Sequence, residues 1–583
     1  MDCKDMILSD DFVEVIIDFP LELLNIPGGL QGEYCVNTIE DNLQVVYLRN
    51  PSPEGLPLDQ FGYRIMPKVF GLARREEGPA FRQLQTLSLD AAGILAVQRP
   101  PLSLTGRGVT MAFIDTGISF ADPVFRRPDG ESRILALWDQ NIQSGMPPQG
   151  FLYGTEYRRE EINEALESMA PYERIPSRDE IGHGSTMAVI GAGSSLQGGA
   201  FLGAAPEADI VAVKLKPCKP YLKQYYRTNA QTVYSEVDIL QALRYVRSFA
   251  VPFQKPLVIC LGLGTNLGDH TGSGALARYL ELLSLDKSIC VVVAAGNEGN
   301  RRGHYEGTLA AGENTGSILT GLGEEADVEL RIGPGQQGLF VEFWGNLPDA
   351  YQLRLRSPGG EEIPWSNLGL AQSLTYGFVY ERTRVSVYTE VVEGGSGEQV
   401  SLLRFTQPTE GIWRIGVRGA GNLESGIFHL WLPMEQFLGA DTYFLESSPY
   451  VTLTEPSATR QVITFSAYDD RNNSIYQEAG RGFARNGIPK PDLTAPGVNV
   501  SSPYGEKTGS SIAASIGAGA AALFLEWAVL EKNSPFVTTR EIKNYLIKGA
   551  ARDPFLDYPN PLWGYGRLNL GNVFTSLANL SRT

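Results

Sequence analysis

Four polar residues sit where the local sequence leaves a side chain free for chemistry: Asp115 in AFIDTGIS, His183 in RDEIGHGSTMAVIGAG, Asn297 in VVVAAGNEGN and Ser511 in EKTGSSIAASIGAGAAAL. The chain has only four histidines, His183, His270, His304 and His429, so an imidazole base acting near neutral pH has few candidates. His183 is flanked by glycines and leads into a small-residue helix, which leaves its ring uncrowded. Asp115 ends an apolar run, at the carboxyl end of a strand, where open α/β sheets carry their sites. Asn297 follows another such run and offers an amide that can donate to an oxyanion. Ser511 falls in the first turn of a helix, where backbone N–H groups and the positive helix end face whatever the hydroxyl attacks. Each residue also has a plainer reading, as a turn aspartate, a structural histidine, an Asx turn or an N-cap serine. Singly they do not decide. Jointly, a carboxylate, an imidazole and a hydroxyl with an amide donor specify acyl transfer.

The elements around these residues must hold them in one body. GVTMAFIDTG, ADIVAVKL, PLVICLGLG and SICVVVAAGN are near-continuous apolar runs suited to parallel strands buried on both faces, and YSEVDILQALRYVRSF and GSGALARYLELL have helical periodicity. An α/β domain is therefore predicted over 86–304. From 305 to 452, seven or so alternating runs such as DVELRIG, LFVEFWG and IWRIGVRG predict an antiparallel β-sandwich. Alternation then gives way to RQVITFSAYD and an alanine-rich helix, so 453–583 completes the α/β domain and the sandwich is an insertion. Residues 1–85 carry VEVIIDF, LQVVYLR and the strand-like GYRIMPKVFGL, a small α+β unit that ends in the charged stretch RREEGPAFRQLQT, a linker or exposed processing site.

The 583 residues carry a formal net charge of −17, which opposes non-specific binding to nucleic acid or anionic membranes and favours protein partners. No apolar run near the length of a membrane span is expected, and the acidic N-terminus MDCKDMILSDDFVEV does not read as a secretory signal. Five scattered cysteines suggest a reducing compartment and no disulfide framework. Without a D-x-D-x-D-G run, no metal or required cofactor is expected, structural calcium being left open.

AFIDTGIS, GHGSTMAVIGAG, VVVAAGNEG, KPDLTAPGV and TGSSIAASIGAGAAAL together resemble the subtilisin-like serine proteases, over most of 106–304 and 455–570. The resemblance implies a parallel sheet with helices on both faces, and a triad of Asp115, His183 and Ser511. It also implies an oxyanion hole of Asn297 and the Ser511 N–H, and a peptide substrate added as a strand along Gly262, Leu263 and Gly264. Ser510 stands where the family has Thr, Gly262 where it has Ser, and Ser515 and Ile516 where Pro and His are common. YGTEYRREEINEAL, RDEIGHGS and LGLGTNLGDHTGSG are similar to the Csp proteases of spore-forming clostridia and their relatives. Those imply a retained prodomain (1–85) that chaperones and inhibits, a jelly-roll insertion, self-processing after Gln83 or Gln85, and a zymogen substrate such as a spore-cortex hydrolase precursor. An intracellular or spore-associated location, with non-classical release, goes with them. The alternative is a pseudoprotease-like scaffold or signalling protein with a blocked site.

Overall fold

The computed structural model describes residues 2–24, 34–50, 62–73, 86–196, 201–250, 255–310, 325–366, 371–439 and 441–580. Helix α1 (Cys3–Leu8) packs on an antiparallel sheet of β1 (Phe12–Ile17), β2 (Tyr34–Glu40) and β3 (Leu43–Arg49), in the order β1-β3-β2. This is the small α+β unit expected from the sequence, with one correction. Cys3 and Cys35 are disulfide-bonded across α1 and β2, with their Cα atoms 5.5 Å apart, whereas the sequence spacing suggested no bridge. Residues 32 apart in the chain give no local sign of such a pair; only the packing of α1 on the sheet does. Cys218, Cys260 and Cys290 are free and buried. Of GYRIMPKVFGL only β4 (Val69–Leu72) is a strand.

The large sheet contains β5 (Thr110–Asp115), β6 (Ile134–Asp139), β7 (Thr155–Arg158) and β8 (Asp209–Lys214). Further along the chain come β9 (Tyr234–Ser235), β10 (Leu257–Leu261), β11 (Leu263–Gly264), β12 (Ile289–Ala294) and β13 (Ile463–Asp469). The order β13-β12-β10-β5-β8-β6 is parallel throughout, and β7 closes one edge antiparallel. Alternate residues of β5 feed two cores: Met111 and Phe113 face one, Ala112 and Ile114 the other. Helices α2 (His183–Ala192) and α5 (Ser510–Leu525) pack in the first core, α3 (Glu236–Arg247) and α4 (Ala275–Leu285) in the second. The parallel sheet with helices on both faces is thus the one expected.

Helix α5 is buried along its whole length. With its continuation it spans Ser510–Leu530, 21 residues, long and apolar enough by composition to cross a membrane. That corrects the expectation that no such run exists. Here 83% of the run is buried within the molecule, so its apolarity serves the protein core.

Between β12 and β13 the chain forms two further antiparallel sheets. One has six strands, in the order His304–Thr308, Ile427–Trp431, Gly338–Gly345, Gln399–Thr406, Arg384–Glu390 and Gln372–Gly377. The other has five, in the order Glu362–Ile363, Tyr351–Arg356, Gly411–Gly419, Glu325–Ile332 and Tyr443–Phe444. Residues of both, among them Val341, Phe343, Val328 and Trp413, share one core. The sequence pattern revealed seven or so of these strands; the others are short, or present weak alternation. His270, His304 and His429 stack on Trp431, with ring centroids 4.1, 4.6 and 5.1 Å away. Burial drives all three imidazoles towards the neutral form.

Candidate active site

Asp115 is the last residue of β5 and is 1% exposed. His183 opens α2 directly after Gly182, whose φ of 79° turns the chain into the helix. Gly184 explains how the two meet. A Cβ there would lie 2.3 Å from the Gly117 carbonyl oxygen and 3.1 Å from Asp115 Cβ, so only glycine lets the start of α2 press against the end of β5. His183 Nδ1 then lies 2.8 and 2.9 Å from the two Asp115 oxygens.

Asp179 fixes this junction. Its carboxylate accepts from the Gly182 and Ser185 N–H groups at 2.8 Å and from the Thr116 and Ser185 hydroxyls at 2.7 Å, while Gly184 N–H donates to Thr116 Oγ1 at 2.9 Å. A carboxylate at the first turn of α2 also suits the helix dipole. Asp179 and Thr116 were not singled out from the sequence, although one stands four residues before His183 and the other directly after Asp115.

Ser511 lies in the first turn of α5, and its Oγ is 3.1 Å from His183 Nε2. The preceding Gly509 has φ 154°, in the region that favours glycine. Ser510 is turned to structure: its Oγ accepts from Gly296 N–H at 3.0 Å, and its own N–H donates to Asn297 Oδ1 at 3.0 Å. The Asn297 amide is thereby oriented with Nδ2 outward, buried and without a hydrogen-bond partner among the described residues. At Ser515, where proline was noted as common, the hydroxyl donates to the Ser511 carbonyl at 2.9 Å.

Gly262, Leu263 and Gly264 border the nucleophile, and the chain's own β4 already pairs with them. Leu72 lies opposite Leu263 and Gly71 opposite Gly264, and Ala73 N–H donates to the Gly262 carbonyl at 2.8 Å. On its other side β4 pairs with β9, a second wall that the two-residue strand did not betray in the sequence. Gln436 Nε2 also donates to the Leu72 carbonyl at 3.0 Å. The point a Cβ on Gly509 would occupy is 2.9 Å from the Ala73 carbonyl oxygen, 3.3 Å from Asn297 Nδ2 and 3.5 Å from Ser511 Oγ, so these three groups converge. Ser511 is accordingly 0% exposed, and an open cleft of about 1050 Å³ lies to the side, lined by Gln231, Glu298, Arg301 and Gln436. Gln83 and Gln85 lie outside the described residues. Among those residues, no group of three or more His, Cys, Asp or Glu side chains is arranged to hold a metal ion.

A parallel α/β sheet with these neighbours at its strand ends defines the serine endopeptidase class. A sequence model of the subtilase family, Peptidase S8, matches residues 106–330 and 383–566. The solved structure of the Clostridium perfringens CspB protease aligns with a TM-score of 0.73 at 30% identity, over 84% of this chain and 99% of that one. Serine protease AprX of Bacillus subtilis is 31% identical over 146 residues, 21% of this chain and 31% of AprX. The subtilisin-like protease SBT5.4 of Arabidopsis thaliana is 24% identical over 429 residues, 69% of this chain and 51% of SBT5.4. The chain thus spans about a third and about half of those two curated relatives. The chain belongs to the subtilase family, with a close structural likeness to CspB.

Proposed function

We propose that the protein hydrolyses peptide bonds with Asp115, His183 and Ser511, first in its own chain and then in protein substrates. The observation that carries this reading is the continuous relay from Asp115 through His183, at 2.8 Å, to Ser511 Oγ at 3.1 Å. Ser511 Oγ attacks the carbonyl while His183 Nε2 takes its proton. Asp115 keeps the proton on Nδ1 and stabilises the imidazolium. The oxyanion is received by Asn297 Nδ2 and the Ser511 N–H. His183 then protonates the leaving amine, and water releases the acyl group by the same route.

The first bond cut is proposed to be Ala73–Arg74; cleavage after Gln83 or Gln85, expected from resemblance, falls outside the described residues. In support, β4 lies in the groove as a substrate strand would, with the Ala73 carbonyl beside Ser511 and Asn297. Residues up to Ala73 are then the prodomain, held as a product-like strand. The complete burial of Ser511 also favours a second, compatible reading: a latent enzyme, closed by its own segment. By resemblance to the Csp proteases, the proposed partner is an inactive hydrolase precursor.

Purified wild type and Ser511→Ala decide this. Wild type is expected to yield a new N-terminus at Arg74 and to react with a fluorophosphonate. The variant should do neither, with kcat about a millionfold lower. A folded wild type that neither processes itself nor takes the label would overturn the reading.

A further inference from the structure

In an extended chain, residues two apart face the same side, and Lys68, just before β4, enters one pocket with Phe70 of β4. Phe70 shares an apolar cluster with Leu276, and Lys68 lies in the field of Glu236, Asp269 and Glu455, which line the same pocket, with only about 10 Å³ left free. The acidic end is held by backbone donors rather than by the lysine ammonium. Glu236 accepts from the Lys68 and Leu276 N–H groups at 2.9 and 3.0 Å, Asp269 from Thr271 N–H at 3.1 Å, and Glu455 Oε1 from Gly272 N–H at 3.1 Å. Glu455 is 7% exposed, yet its Oε2 has no hydrogen-bond partner among the described residues. Burial opposes the charge on Lys68, but Glu236, Asp269, Glu342 and Glu455 outweigh it and hold the ammonium above its ordinary range. An uncharged side chain in this place would leave Glu236 and Asp269 without a cation, while burial already holds Glu342 and Glu455 towards the protonated form.

Resting on the endopeptidase reading, we propose that this pocket is a specificity subsite that takes a lysine five residues before the residue whose carbonyl Ser511 attacks. Lysine fits because its ammonium is compact enough for the space left, whereas the planar guanidinium of arginine is larger. The subsite discriminates by charge at a distance from the scissile bond, where backbone pairing with β9 and β11 is indifferent to sequence.

The test uses quenched-fluorescent peptides on segment 67–74, PKVFGLAR, with lysine, alanine or glutamate in the second place, cleaved by the full wild-type chain. Amide exchange across β4 in full-length Ser511→Ala, with and without Lys68→Ala, runs in parallel. The lysine peptide is expected to exceed the alanine peptide about tenfold in kcat/KM, the glutamate peptide to be poorest, and Lys68→Ala to quicken exchange of β4 about tenfold. Glu455→Gln should narrow the lysine-to-alanine ratio. Equal cleavage of the lysine and alanine peptides, with Ser511 still taking the fluorophosphonate, overturns the subsite and spares the catalytic reading. If no peptide is cleaved, the chain's own segment decides: faster exchange of β4 in the Lys68→Ala form of Ser511→Ala, with β5 and β10 still protected, supports the subsite, and unchanged exchange overturns it. Loss of both the fluorophosphonate label and the Arg74 N-terminus in folded wild type overturns the catalytic reading itself.

Discussion

Asn297 shows how a single residue is prepared for one moment of a reaction. Its Oδ1 is occupied by Ser510 N–H, so its Nδ2 points into the site with no acceptor among the described residues. Such a donor contributes chiefly once negative charge has formed. Asn297→Asp keeps the acceptor and removes the donor, so kcat should fall roughly 100- to 1000-fold with KM and Tm little changed; a fall of less than tenfold on a cleavable peptide would remove the residue from the oxyanion hole. Gly184 is more vulnerable, because a methyl group there must displace backbone. Gly184→Ala is expected to cost about 2 kcal/mol in chemical denaturation and most of the activity, by parting His183 from Asp115. Asp115, His183, Asn297 and Ser511 are legible in the sequence because Asp115 and Asn297 end apolar runs, and His183 and Ser511 follow glycines at the start of small-residue helices. Asp179 and the Ser510 hydroxyl are not, since their importance lies in what the fold brings to them.

Among the elements, legibility follows burial. Strands β5, β8, β10 and β12 are covered on both faces, and their apolar runs announce them. Strands β4 and β9 are short and gain their meaning from pairing with each other, so no local pattern reveals that one is seated as a substrate would be. The disulfide of Cys3 and Cys35 is equally a product of packing. The His270, His304 and His429 cluster belongs to this scale too, because it stacks β-sandwich strands and the loop after β11 on Trp431. Burial lowers His270 to about 4 and His304 to about 3. A base whose folded-state value lies below its unfolded one stabilises the fold fully above the unfolded value, about 6.5, and loses that contribution as pH falls towards the folded one. The three rings should therefore keep neutral imidazole NMR signals from pH 8 down to about pH 5 in the folded protein. A ring that titrates near 6.5 would show that the cluster is solvated. Buried Glu342, raised to about 7, and Glu455, raised to about 8, slope the opposite way, so the local signals test the cluster better than global stability does.

Across the whole molecule, three bodies meet on the segment that closes the site. The N-terminal unit supplies residues 62–73, the α/β domain grips β4 between β9 and β11, and the sandwich holds the approach. There Tyr63 OH donates to Glu342 Oε1 at 2.8 Å, Tyr63 N–H to Glu390 at 3.0 Å and Arg64 to the Gly394 carbonyl at 2.8 Å. The insertion is thus coupled to the active site through the segment lying across it, although it supplies neither the triad residues nor Asn297. Tyr63→Phe isolates this coupling, since it removes one hydroxyl and leaves a Glu342 oxygen without its donor, at a cost of about 1–3 kcal/mol. If the sandwich restrains the segment, amide exchange across 62–73 should quicken about tenfold or more while β5 and β10 keep their protection. Fluorophosphonate labelling of Ser511 should quicken by the same factor, because the opening that admits solvent to β4 is the one that uncovers the nucleophile. Faster exchange without faster labelling would mean that the segment loosens at its approach while β4 stays seated, and the sandwich would then have no control over the site.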